Sequence, residues 1–117
     1  MAEIRFITEP LTKVALQEIA NERFGDMVKG VVDIEKGVLA LGGELHADIE
    51  AFLLDHGSVQ ATLWGINLYP AMVFPEMVEF DSMINIRPSQ GNKSRGVENV
   101  ETQKQILEVV KKYIVNE

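Results

Sequence analysis

The chain contains no cysteine, which excludes a disulfide, a thiolate zinc site and a cysteine nucleophile together. That usage fits a cytoplasmic protein. It also lacks any apolar run near the roughly 20 residues needed to span a bilayer. Its first residues, M-A-E-I-R-F, do not follow the basic-then-apolar order of a secretory signal, so no membrane partner is expected. Basic residues are the minority: 11 Lys and Arg against 18 Asp and Glu leave a net charge of −7. A field of that sign repels nucleic acid and anionic lipid, although a local basic site fits inside it.

What is present describes one globular domain. A chain of 117 residues, 46% apolar and 25% charged, buries a single core and has no compositional reason to stay disordered. Residues 3–8, Glu3 to Thr8, alternate with Ile4 and Phe6 on one face and read as a short strand ended by Pro10. Thr12 is placed to cap a helix over 13–24, where Leu16, Ile19, Ala20 and Phe24 share a face and Gly25 follows as the left-handed closing residue. Residues 27–34 and 38–41 form a Val-rich hairpin around E-K-G. Leu45, Ile49, Phe52 and Leu53 then stripe a second helix, with Asp48 capping its first turn and Gly57 closing it.

Two further strands are expected, over 63–69 and 78–87. Their period of two sets Trp64, Ile66, Phe80 and Ile84 on a buried face under the helices. Asn67, Tyr69, Asp81, Asn85 and Arg87 form a polar row opposite. Asn99 caps a last helix over 100–115, striped by Ile106, Val110 and Ile114. The order β-α-β-β-α-β-β-α predicts an α+β domain, a mainly antiparallel sheet with helices packed on one face.

The polar stretch after the last strand, R-P-S-Q-G-N-K-S-R-G at 87–96, carries the clearest chemistry. Arg87, Ser89, Asn92, Lys93, Ser94 and Arg95 supply donors, and Gly91 and Gly96 let the backbone turn, so the loop suits an oxyanion such as phosphate or carboxylate. It lacks the glycine-lysine spacing of a P-loop, and the bland alternative is a solvated connector. Glu44, His46 and Asp48, two apart, do not converge on a metal if the stretch is helical, and no metal is expected. They remain candidates for acid–base work, since the unperturbed histidine pKa is ~6.5. His56 reads as a favourable charge at a helix end, and Trp64 as core. The connector 71–74 is apolar for a loop and either covers a pocket or meets a second subunit.

Several linked motifs carry a resemblance. E-R-F-G-D-M-V-K at 22–29, V-D-I-E-K at 32–36, G-G-E-L-H-A-D at 42–48, L-W-G-I-N-L-Y-P at 63–70, E-F-D-S-M-I-N-I-R-P at 79–88 and the G-N-K-S-R-G loop span nearly the whole chain. In these the chain resembles a family of small prokaryotic proteins of unknown function. Its 71–74 connector is more apolar than the one usual there, which bears on any shared oligomeric state. The resemblance implies a site in these motifs and no activity.

Three functions compete at this level. The first is a binding module for a phosphate-bearing small molecule or nucleotide, through Arg87, Ser89, Asn92, Lys93, Ser94 and Arg95 with the polar row of Asn67, Tyr69 and Asn85. The second is a hydrolase or nuclease-like enzyme. There His46 is the general acid or base, Asp81 or Glu44 orients it, and Arg87 with the loop stabilises negative charge. The third is a structural or regulatory subunit, possible as a homo-oligomer, acting through 71–74. No cofactor is indicated.

Overall fold

A computed structural model describes residues 4–115; Glu3, which the sequence assigns to the first strand, lies outside them. Two helix starts are set by side chains that hold otherwise free amides. Thr12 Oγ1 accepts from the Ala15 amide and Asn99 Oδ1 from the Thr102 amide, both at 3.0 Å. In chain order the elements are β1 (Arg5–Ile7), β2 (Leu11–Thr12), α1 (Lys13–Asn21), β3 (Val28–Asp33), β4 (Val38–Leu41), α2 (His46–Asp55), β5 (Leu63–Leu68), β6 (Val78–Glu79), α3 (Val100–Tyr113) and β7 (Ile114–Val115). Apart from the two-residue β2 and β7, this is the expected order of an α+β domain.

The main sheet runs β1-β4-β3-β5-β6, and each of its neighbouring pairs is antiparallel. β2 and β7 form a separate parallel pair, so the chain leaves α3 at Tyr113, two residues before the expected end. α1 likewise stops at Asn21, where the last turn tightens and the amide of Gly25, at φ +88°, returns to Ala20 O at 2.8 Å. α2 starts at His46 after Leu45, with Asp48 inside its first turn and not at its cap.

Two expectations are corrected. The helices do not share one face of the sheet. Leu16, Ile19, Ile106 and Val110 of α1 and α3 pack with Val32, Leu39, Trp64 and Ile66, whereas Ile49 and Leu53 of α2 pack with Val31, Ala40 and Leu63. All six residues of β5 are buried, and a strand with apolar side chains on both faces needs cover on both. The second correction concerns 78–87. Only Val78 and Glu79 pair with β5, after which the chain leaves the ladder and makes short 3₁₀ turns at Met83–Asn85 and Pro88–Gln90. Phe80 therefore packs on the α1/α3 side and Ile84 on the α2 side, not together.

The departure from the ladder has a local cause. Asn85 is fully buried, and its carboxamide takes the place of a neighbouring strand. Oδ1 accepts from the Gly65 amide at 2.8 Å, and Nδ2 donates to Gly65 O at 3.0 Å and to Arg95 O at 2.9 Å. Gly65 is needed for that approach, because a Cβ there would stand 2.6 Å from Ser82 Cβ and Oγ. The connector stays outside: Met72, Val73 and Phe74 are all exposed, and Lys13 Nζ donates to Met72 O at 2.6 Å.

Candidate functional site

α2 covers only part of its face of the sheet. Beyond its N-terminus, Lys29 of β3 and Asn67 of β5 are direct cross-strand partners and floor an open cleft of about 400 Å³. Leu45, His46 and Ala47 form one wall, and Tyr69, Glu79, Asp81 and Arg95 close the other. Five residues singled out in the sequence thus meet there: His46, Asn67, Tyr69, Asp81 and Arg95. Lys29 and Glu79 were missed. A lone lysine in the Val-rich run of β3 was the available signal for the first; the second lies two residues before Asp81 in the same motif.

The polar groups of the cleft are ordered by one another. Glu79 Oε1 accepts from Asn67 Nδ2 at 2.9 Å and from the Tyr69 hydroxyl at 3.0 Å. Burial, and then that bond, hold the Tyr69 phenol above its usual range. Arg95 Nε donates to Asp81 Oδ1 at 2.7 Å, an exposed pair of small energetic worth whose interest is where it stands. Lys29 makes no ion pair among the described residues.

His46 is buried, and its Nε2 lies 2.8 Å from Ile66 O. A carbonyl only accepts, so Nε2 carries the proton and Nδ1 holds the lone pair when the ring is neutral. Burial pulls the His46 pKa below its usual value. Lys29 acts in the same direction, while the Ile66 bond, Asn67 and Asp81 oppose it. A base depressed in the folded state stabilises the fold fully above its unfolded pKa of ~6.5, and that stability is lost as pH falls through the lowered folded value. Urea unfolding at a series of pH values below 7 is expected to show a smaller loss of stability in His46→Gln than in the wild type. Equal losses in the two proteins would mean that His46 does not carry this dependence.

Residues 5–113 match the family model described as "Protein of unknown function (DUF5674)". The chain belongs to that family. No curated protein and no solved structure matches it. In this DUF5674 chain the remaining sequence candidates stand outside the cleft. Glu44 is exposed and pairs with Arg23 at 3.4 Å, so it does not orient His46. Asn85 is spent on Gly65 and Arg95, as described above. Arg87 is 8% exposed: its guanidinium donates to Gln60 O and Leu63 O and stacks 4.2 Å from the Trp64 ring centre. Burial lowers its pKa, with Glu50 acting against that. Asn92 donates to Asn85 O, Ser94 O and Gly96 O and accepts from the Glu98 amide.

The 87–96 loop already holds an anion of its own chain. Lys93 N donates to Glu98 Oε2 at 2.9 Å, and bonds from the Ser94 side chain first, then from the Lys93 backbone, hold the Glu98 carboxyl below its usual range. The amides of Gln90, Gly91 and Asn92 bond to carbonyls within the loop. Ser89, Lys93 and Ser94 are exposed and do not line the His46 cleft. Among the described residues no group of three or more His, Asp or Glu side chains is placed to hold a metal ion, and no helix is long and apolar enough to cross a membrane.

Proposed function

We propose that the chain binds a small phosphate-bearing molecule, of the size of a sugar phosphate or nucleotide, in the His46 cleft and not on the 87–96 loop. The carrying observation is the meeting of two cations, Lys29 and Arg95, from distant parts of a chain of net charge −7, beside the start of α2. Leu45 offers that helix no side-chain cap, so its first amides and positive dipole end lie at the same opening. Phosphate is matched by this combination of point charge, guanidinium and backbone amides. The loop is disfavoured because Glu98 already takes the Lys93 amide and the Ser94 donors.

A second reading has one observation in its favour. The Ile66 carbonyl fixes the His46 tautomer, which leaves Nδ1 as a base in a cleft that also holds Asp81 and Arg95. Under that reading the bound phosphate ester is hydrolysed, with Arg95 and Lys29 stabilising the developing charge.

A thermal-shift panel of inorganic phosphate, sugar phosphates and nucleotides tests the first reading. A ligand at 100 times its Kd stabilises by about 2.7 kcal/mol and raises the melting temperature of a domain of this size by several degrees. That rise is expected to vanish in Lys29→Gln, a substitution at a half-buried strand position that keeps the side-chain stem. A rise of equal size in the variant, or none in the wild type, would overturn the reading.

A further inference from the structure

The cleft's permanent charges are Lys29, Arg95, Glu79 and Asp81. Two cations meet two carboxylates there and cancel, so an entering anion finds donors but no net attraction beyond the dipole end of α2. Tyr69 does not alter the balance, because its phenol is held neutral above its usual range. His46 is the one lining group that can change it between about pH 5 and pH 8. The chain's other histidine, His56, stands at the far end of α2 against Phe6 and Phe52. Of the acids near His46 in sequence, Glu44 is paired with Arg23, and neither it nor Asp48 lines the cleft.

The surroundings of His46 offer a place for a second proton. Its Nε2–H already donates to Ile66 O. Asn67 Oδ1, closed to solvent and without a donor of its own, faces the ring, since the Nδ2 end of that amide is committed to Glu79 Oε1 and Asp81 O. Against a neutral Nδ1 this oxygen sets one lone pair against another; against the Nδ1–H of an imidazolium it gains the partner it lacks. Burial and Lys29 oppose the imidazolium in the free protein, and Asp81 favours it. An anion held by Lys29, Arg95 and the start of α2 adds the attraction that tips this balance. We infer that His46 is a charge-switched member of the anion site, taking a proton at Nδ1 as a phosphate-bearing ligand binds and giving Asn67 Oδ1 its donor. This rests on the proposed reading of the cleft and makes a proton the ligand's companion. Imidazolium and anion stabilise each other, so binding raises the His46 pKa. By linkage, affinity rises as pH falls from above the bound-state value to below the free-state one.

Calorimetric titration of the wild type, His46→Gln and His56→Gln tests the inference. The probes are inorganic sulfate, whose charge is constant over this range, inorganic phosphate and glucose 6-phosphate. A glutamine amide can donate to Ile66 O as Nε2 does, but it carries no charge. Wild-type affinity for sulfate is expected to be about tenfold higher at pH ~5.5 than at pH ~8, equivalent to a His46 pKa raised by about one unit on binding. Binding heats in buffers of different ionisation enthalpy are expected to show proton uptake between those limits. In His46→Gln the sulfate affinity is expected to stay at its high-pH level with no proton taken up, and His56→Gln to follow the wild type. For the two phosphates, which titrate themselves, the wild-type to His46→Gln affinity ratio is expected to rise by the same factor as pH falls. Equal pH dependence in the wild type and His46→Gln would overturn the proton coupling and leave the anion site standing. No binding of any of the three probes would overturn both.

Discussion

Asn85→Ala is expected to cost about 3–5 kcal/mol, a large fraction of the roughly 5–15 kcal/mol that stabilises an ordinary domain. The substitution removes two buried hydrogen bonds and a partly buried third, and leaves both the N–H and the C=O of Gly65 without partners inside the protein. An unmet buried backbone group costs roughly 1–3 kcal/mol, and here two arise together with the loss of the tie to Arg95 O. Water cannot readily replace the carboxamide, because Ser82 and Ile84 already crowd Gly65. Urea unfolding reads the effect as a fall in midpoint of roughly 2–3 M at an m-value of about 1.5 kcal/mol/M. Amide hydrogen exchange supplies a local check: Gly65 is expected to lose its protection. A variant with a wild-type midpoint and a protected Gly65 amide would show that Asn85 is not the partner of that strand.

Arg87→Ala is expected to destabilise by about 2–4 kcal/mol and to leave phosphate binding in the refolded protein unchanged. One planar guanidinium serves Gln60 O and Leu63 O while lying on Trp64, a geometry that a lysine cannot copy. Arg87→Lys is therefore expected to recover less than half of the loss. Trp64 is the chain's one tryptophan, so its emission reports the site directly, and removal of the guanidinium cover is expected to shift it to the red. Loss of ligand affinity in Arg87→Ala without loss of stability would return Arg87 to the binding site.

How far the sequence foretold this architecture depends on the range of the interaction concerned. The caps at Thr12 and Asn99, the Val-rich hairpin and the closing Gly25 rest on contacts within a few residues, and all are legible. Residues 78–87 alternate well enough to pass for a strand. What ends the strand is Asn85 bonding to a residue 20 positions away, which periodicity does not report. The same holds for the loop. Its capacity to hold an anion was written in its Gly, Ser and Lys composition, but the occupant, Glu98, became visible only with the folded chain. Glu44 and His46 look like one acid–base group on paper, yet the start of α2 turns the first to Arg23 and the second to Ile66. His46, Asn67, Tyr69, Asp81 and Arg95 were each legible as polar residues in a patterned motif. Lys29 was not, because its role depends on register with Asn67.

The outer side of β5 alternates between Leu63, Gly65 and Asn67, and each is met differently. Arg87 takes the Leu63 carbonyl, Asn85 both groups of Gly65, and β6 pairs at Asn67. A strand of this length flanked by only a two-residue neighbour would ordinarily offer a row of open backbone groups to any other extended chain. Two side chains close that row as completely as a sixth strand would, without adding a new edge of their own. At Leu63 and Gly65 this side of β5 thus has no open backbone groups left for a second chain to pair with. The residues between Glu79 and Arg95 are meanwhile released from strand geometry, free to bring Asp81 and Arg95 around to the mouth of the cleft.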